Sequence, residues 1–333
     1  MAGNANQKLK LLYLADILKR ETNEEHVLSA IDLTKRLADY GISSERKSIY
    51  SDIEILKEYG FDIILSRSPK YGYFLASTDF EPHEVRLLMD AVQAAGFISN
   101  KKTKQLIDKI SLLTNDFDSR KLKKQIYVDS RQKSSNEEVY YSIDTINKAI
   151  CAGRQITLTY MKRVVNDNKT VSFSEKKHTV NPYALIWSND HYYLISNNIK
   201  YDNLMPLRID RMKKVTILED SCIRPLKEVS EYPGAFDSAD YVSKHLNMFT
   251  GQAKPIELIC ENDIIEQILD KFGERTPIYP NDEKTFVARF SSAVNDGLVS
   301  WILQYGDKVM VASPKELKMK VLETAKSVID KYE

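Results

Sequence analysis

The first 78 residues contain three helical repeats that give way abruptly to an extended pattern, and this order limits the possible folds more than any other stretch of the chain. Leu9, Leu12, Tyr13 and Ile17 recur at helical spacing and predict an amphipathic helix ending near Arg20. After the polar run ETNEEH, Ser29 is placed to cap a second helix carrying Ile31, Leu33 and Leu37. Gly41 ends it. Ser43 or Ser44 is the expected cap of a third helix, which runs to about Tyr59 with Ile49, Ile53 and Leu56 on its buried side, and Gly60 stops it. Two β-rich runs then follow, FDIILS and GYFLA, joined by the five-residue tip RSPKY, and these read as a hairpin.

Three short helices followed by a hairpin predict a winged helix-turn-helix domain over residues 1–78. An α-helix fits the major groove of DNA, a preceding helix braces it, and a hairpin adds a second contact to phosphate or minor groove. The third helix opens SSERKSIYSD. Ser44, Arg46, Lys47, Ser48, Tyr50 and Ser51 are therefore the candidate DNA contacts, with Arg67 and Lys70 beside the hairpin tip. The plainer alternative makes the same residues a polar surface around a small helical core. Residues 1–78 hold eleven basic and eleven acidic side chains, so the candidate surface carries no overall basic excess.

The run ISSERKSIYSDIEILKEYGFDI followed by YGYFL resembles the N-terminal winged helix of DeoR-type bacterial regulators. Tyr50, Asp52, Ile53 and Leu56 match its Tyr-x-Asp-Ile-x-x-Leu core, and Gly72 and Tyr73 match the Gly-Tyr on which the wing closes.

Residues 79–138 read as a helical connector and linker. Val85, Leu88, Met89 and Val92 share one helical face, and Leu106, Ile107, Ile110 and Leu113 share another, up to about residue 128. Residues 99–133 carry ten basic and four acidic side chains. The polar, aperiodic run SRQKSSNEEV, residues 130–139, is the best linker candidate. Residues 139–254 follow with one helix, Ile143, Ile146 and Ile150 inward, and then short strands. QITLTYMKR is a strand, VVNDNKTVSFSEK a polar loop, KHTVNPYALIW and YYLISN strands around the turn SNDH, and LMPLRIDRMKKVTIL holds another. One helix and four or five bent strands predict a small Sm- or SH3-like β-barrel. Period two would place Arg208 and Asp210 on one strand face, where they can pair with each other. Arginine also suits bidentate recognition of phosphate, and tyrosine faces stack on bases.

This segment resembles the WYL domain through Tyr192, Tyr193 and Leu194, with tyrosine in place of the first tryptophan. Tyr160, His178, Val180, Pro182, Tyr183, Leu185 and the run LRIDRM fit the surrounding pattern. The resemblance implies an Sm-like barrel that senses a nucleic-acid or nucleotide-like ligand through Tyr160, His178, Tyr192, Tyr193, Arg208 and Arg211. Residues 255–333 read strand-helix-strand-strand-helix-strand-helix, the order of a ferredoxin-like sandwich. They resemble the C-terminal extension (WCX) of many WYL proteins through Trp301, Leu303, Gly306 and Pro314. In such proteins the extension often packs on a partner copy, which implies a homodimer.

The fold class expected is thus α+β and multidomain: winged helix, helical connector, small barrel, ferredoxin-like end. The three cysteines, Cys151, Cys222 and Cys260, lie far apart and suggest isolated thiols without zinc. The five histidines are scattered, and no phosphate loop, HExxH, GxSxG or CxxC occurs, so neither enzyme chemistry, a metal nor a cofactor is expected. A polar start, MAGNANQKLK, and the lack of any run near the roughly 20 apolar residues of a membrane helix point to a cytoplasmic protein with no membrane partner. The functional expectation is a dimeric, sequence-specific regulator that binds a double-stranded operator and senses an effector. The alternative is an accessory protein whose barrel binds single-stranded DNA or RNA as its main task.

Overall fold

The computed structural model describes residues 2–125 and 133–333. The chain divides into two compact units, Met1–Ser135 and Asn136–Glu333. It is a mixed α/β protein with several separate sheets.

The first unit opens with α1 (Ala2–Glu21), α2 (Ala30–Asp39) and α3 (Arg46–Tyr59), followed by an antiparallel hairpin of β1 (Ile63–Ser66) and β2 (Gly72–Leu75). Ser29 caps α2 as expected, and Asp32 completes a reciprocal capping box: Ser29 Oγ accepts from the Asp32 N–H while Asp32 Oδ2 accepts from the Ser29 N–H. The cap of α3 differs from expectation. Glu45 occupies it without a side-chain hydrogen bond, and Ser43 and Ser44 lie outside the helix. Gly60 closes α3 with φ +115°, a left-handed conformation that glycine adopts without strain.

The shared core comprises Leu14, Ile17, Leu18, Leu33, Leu37, Ile49, Ile53, Leu56, Ile63, Tyr73 and Leu75. Leu9, Leu12 and Ile31, expected on buried faces, are exposed. The helix α1 continues into Leu14 and Leu18, and these turn its buried stripe away from Leu9 and Leu12. The hairpin is tied back by a β-bridge between Leu28 and Tyr73, and a Cβ at Gly72 would meet the Leu28 carbonyl carbon at 2.8 Å. Only glycine fits there.

The connector forms α4 (Pro82–Ala94), α5 (Asn100–Ile110) and α6 (Asp116–Gln125) around Val85, Met89 and Ile107, while Leu88 faces solvent. Residues 126–128 of the expected helical stretch and 130–132 of the expected linker lie outside the described residues. The rest of the linker is anchored locally. Lys133 Nζ donates to the carbonyls of Val92 and Ala95, and Asn136 Nδ2 donates to those of Asp210 and Met212.

The second unit begins with α7 (Val139–Ala152), then β3 (Ile156–Val165), β4 (Val171–Ser188), β5 (His191–Asn198), β6 (Met205–Arg208) and β7 (Met212–Ile217). The sheet order is β6-β5-β4-β3-β7, all antiparallel. The edge strands β6 and β7 are joined only by a 3-10 turn, Ile209–Arg211. In a flat sheet the two edges would stand about 19 Å apart, four strand spacings. Three residues rising about 2 Å each cannot cover that distance, so the sheet must curl strongly. Two expectations change here. The polar loop expected after β3 is mostly strand, because Val171–Glu175 pair with β3 in an extended ribbon. Arg208 and Asp210 do not share a strand face, because Asp210 lies in the turn.

After α8 (Ser238–Lys244) come β8 (Ala253–Glu261), α9 (Ile265–Phe272), β9 (Ile278–Pro280), β10 (Thr285–Ala293), α10 (Asp296–Leu303), β11 (Val309–Ser313) and α11 (Lys315–Ile329), element for element as the sequence suggests. The sheet runs β11-β8-β10-β9, so the fourth strand of this segment pairs with the first and the third with the second. Trp301 is buried in its core, edge-on to Phe272 and Tyr305.

Candidate nucleic-acid interface and ligand pocket

The first candidate site lies on α3. A buried ion pair, Lys10 Nζ to Asp52 Oδ2 at 2.7 Å with both side chains about one-tenth exposed, pins α3 to α1 from below. Lys10 also donates to Ser48 Oγ at 2.5 Å. Ser48 is thus half-buried and engaged within the fold, whereas Arg46, Lys47 and Ser51 face solvent. Ser44 is half-buried just before the helix, and its Oγ has no hydrogen-bond partner among the described residues. Arg46 Nε donates to Tyr50 Oη at 2.8 Å, and its guanidinium lies 5.7 Å from that ring, so the two side chains order each other on the surface. Tyr50 meets Tyr73 of β2 edge-on at 6.4 Å, which joins helix and hairpin along one border. Arg67 and Lys70 are exposed at the hairpin tip. The sequence reading missed the Lys10–Asp52–Ser48 network. A lysine on the first helix gives no sign of its partner 42 positions later.

The second candidate site gathers where the curled sheet brings β3, β5 and β6 together. Tyr193 on β5 is paired in register with Arg208 on β6. The Arg208 backbone N–H donates to Tyr160 Oη of β3 at 3.3 Å, and Tyr160 meets His178 of β4 edge-on at 6.2 Å. Arg208 is held by a bidentate pair with Asp210, Nε to Oδ1 at 3.0 Å and Nη2 to Oδ2 at 2.7 Å. The backbone carbonyl of Asp210 is in turn anchored by Asn136. Burial and that carboxylate act on Arg208 in opposite senses, and the carboxylate keeps its guanidinium charged. Burial holds His178 and His191 below the ordinary histidine range, so both rings are neutral at pH 7 and bring hydrogen-bonding and aromatic faces rather than charge.

The structure thus brings Tyr160, His178, Tyr193 and Arg208 together. Tyr192 points to the opposite face of β5 by period two, opposite Trp187. Arg211 is exposed in the turn, and its charge acts on His191 and Tyr193. Sequence reasoning did not select His191, which meets Tyr193 at 6.2 Å and senses the charges of Arg208 and Asp210. Its place two residues before Tyr193 on the same strand face was the available signal. With one carboxylate already neutralising Arg208, this cluster can bind an anion by exchange with Asp210 or through the guanidinium N–H groups left over.

Residues 142–217 match the WYL domain family, and residues 255–329 match the WCX domain family. The chain carries a WYL domain followed by a WCX domain. The WYL match begins inside α7 and ends with β7, so it encloses the whole curled sheet and the Arg208 cluster. The WCX match runs from β8 to the last residue of α11. Among curated proteins the chain is similar to the uncharacterized HTH-type transcriptional regulator YobV of Bacillus subtilis (strain 168), with 21% identity over 301 residues, 86% of this chain and 90% of that protein. Among solved structures it is similar to the proteasome accessory factor B/C (PafBC) of Arthrobacter aurescens, at 16% identity and a TM-score of 0.28. That match covers 98% of this chain, which spans 47% of the length of the PafBC chain. Among the described residues no cluster of metal-ligating side chains forms, and no helix is long and apolar enough to cross a membrane.

Proposed function

We propose that this protein is a DNA-binding transcriptional regulator, not an enzyme, whose WYL domain senses a nucleic-acid or nucleotide-like ligand and modulates operator binding. In this reading residues 1–78 are a winged helix-turn-helix, 79–138 a connector, 139–254 an Sm-like barrel and 255–333 a ferredoxin-like extension. The observation that carries it is the solvent-facing row Arg46, Lys47 and Ser51 on α3, bordered by the exposed Arg67 and Lys70 of the hairpin. A helix presented this way beside a hairpin has the layout that reads a major groove and touches the flanking backbone. Similarity to a protein named as an HTH-type transcriptional regulator, over most of both chains, supports the same reading.

Ser44, Arg46, Lys47, Ser48, Tyr50 and Ser51 are assigned to operator contact, and Arg67 and Lys70 to the wing. Of these, Ser48 acts through the Lys10 network that sets the helix. Tyr160, His178, Tyr193 and Arg208 form the effector pocket, with Tyr192 and Arg211 at its margins. Two copies would place two winged helices on a repeated or palindromic site in the cytoplasm, with effector binding coupled to their spacing.

Selection of bound fragments from a random duplex library at about 150 mM salt tests this, because non-specific electrostatic binding is suppressed there. Recovery of a symmetric or repeated motif is the expected result. The neutral balance of residues 1–78 favours a second reading, an accessory binder of single-stranded DNA or RNA. Retention of single-stranded oligonucleotides with no enriched duplex would establish that reading and discard the first.

A further inference from the structure

The start of the second unit is tied to the turn that carries Asp210. Asn136 Nδ2 donates to the carbonyls of Asp210 and Met212 at 3.1 and 2.8 Å, and Asn136 Oδ1 accepts from the Glu138 N–H at 2.9 Å. An amide nitrogen has two N–H groups, and here each finds a carbonyl. The Glu138 N–H can only donate, so the group beside it is the amide oxygen and the orientation of Asn136 is fixed. Glu138 adds a further tie, its Oε2 accepting from the Lys214 N–H at 3.2 Å. Lys214 has φ +50° and stands where the register of β7 against β3 shifts. Asn136 and Glu138 thus hold the backbone of residues 210–214, from the turn into β7.

Just upstream the chain is held again, this time within the first unit. Lys133 Nζ donates to the carbonyls of Val92 and Ala95 at 3.1 and 2.9 Å, and the Ser134 N–H donates to the Gly96 carbonyl at 2.8 Å. A lysine at this end of a helix satisfies carbonyls that the helix leaves open. The helix it caps, α4, belongs to the same unit as α1–α3 and the hairpin. Only Ser135 stands between Ser134 and Asn136, so the two anchored stretches have no slack chain between them. Asp210 joins this strap to the pocket. Its carboxylate grips Arg208 through two hydrogen bonds, while its carbonyl is held by Asn136. An anion that takes the place of Asp210 on Arg208 frees the carboxylate, and with it the conformation of the turn. Coupling between sites needs an element that both can bias, and this turn is one.

We propose that Asn136 is a positioning residue that passes the occupancy of the Arg208 pocket to the first unit. Exchange of Asp210 for an anionic ligand shifts the carbonyls of residues 210 and 212, releases Asn136, and weakens the hold of Lys133 and Ser134 on the end of α4. This route rests on the reading of the Arg208 cluster as the effector pocket, and it names how that pocket is coupled to the rest of the chain. Amide hydrogen exchange in the full-length protein, read residue by residue, tests it without ligand or DNA. Asp210→Ala removes the grip on Arg208 and stands in for its displacement. Asp210→Asn, close to isosteric, takes its place should the alanine variant not fold.

In the Asp210 variant the Ser134 amide should exchange about tenfold faster or more, while β8 and β10 exchange as in the parent. Asn136→Ala should speed Ser134 by itself. Adding the Asp210 substitution to Asn136→Ala should then change the Ser134 rate by less than about twofold, because the route is already cut. Two independent structural losses would add instead, which separates transmission from mere support. An unchanged Ser134 amide beside an opened Ile209–Met212 turn, an equal rise in β8 and β10, or additive effects in the double variant would each overturn the proposal. Any of these leaves the pocket itself standing, since that is judged by the effector response of Arg208→Ala.

Discussion

Arg46 and Arg208 each sit against a tyrosine, yet the two sites use the guanidinium in opposite ways. Arg46 is exposed on α3 and donates its Nε to Tyr50, and among the described residues no carboxylate pairs with it. Its charge stays available to an incoming phosphate at little desolvation cost. Arg208 is half-buried, and Asp210 grips it at both Nε and Nη2 while Tyr160 holds its backbone. Its geometry is set in advance, but any anionic ligand must compete with a carboxylate already in place. The first arrangement suits a surface that accommodates many DNA sequences before it settles on one. The second suits a pocket that discriminates, because the wrong ligand leaves a buried charge pair disturbed without compensation.

The support beneath each arginine gives the sharpest tests of that contrast. The largest effect is expected beneath Arg46. Asp52→Ala strands Lys10 in a nearly buried site and should lower the stability of the first unit by about 3–5 kcal/mol in denaturant unfolding. A loss under about 1 kcal/mol would mean that Lys10 reaches water and that packing alone holds α3 to α1. Next comes the pocket. Arg208→Ala should weaken the effector about 10- to 100-fold, the contribution of charge-assisted hydrogen bonds, and abolish its influence on operator binding, with the fold retained by circular dichroism. Arg208→Lys should not restore it, since a point charge cannot grip a planar anion bidentately. A normal response in Arg208→Ala would remove this pocket from the mechanism.

A smaller effect is expected at the helix that braces α3. Ser29→Ala breaks the capping box and should cost about 1 kcal/mol at neutral pH. The Ser29 hydroxyl and N–H hold the Asp32 carboxyl below its ordinary range. A lowered carboxylate contributes stability above its unfolded value of 3.8, and that contribution disappears as pH falls through the lower folded value. The difference between parent and Ser29→Ala should therefore shrink in acid, and unfolding curves across that window check it. The smallest stability change belongs to Arg46→Ala, within about 0.5 kcal/mol, because no buried partner is lost. The same variant should reduce the dependence of log affinity on log salt by about one, the release of a single phosphate contact. An Arg46→Ala protein with an unchanged salt slope would erase the contrast between the two arginines.

How much was legible beforehand varies along the chain for identifiable reasons. The C-terminal segment was read element by element, because its strands and helices are amphipathic and bounded by glycine, proline or polar residues, although sequence order did not show that the first strand pairs with the third and fourth. The hairpin and the closing of α3 at Gly60 were equally plain. The buried faces of α1 and α2 differ from the spacing because apolar residues outnumber those the core can hold: Leu12 on α1 and Ile31 on α2 match helical spacing as well as Leu14 and Leu33 do. The ribbon formed by the end of β3 and the start of β4 read as loop because the polar residues 166–170 lie between its two arms and its Val165, Val171 and Phe173 are exposed, and β-pairing in solvent needs no apolar alternation.

Sequence by itself determined the order of elements, their caps and stops, and the types of side chain brought to each candidate site. Those properties are local, and they follow from spacing, backbone preference and turn chemistry within a few residues. Tertiary structure alone decided which groups became partners: Lys10 with Asp52, Asn136 with Asp210, and Tyr160 with Arg208. Those pairings join residues that are up to 74 positions apart in the chain. They arise where curling of the sheet and docking of helices bring surfaces together, and no local pattern carries that information.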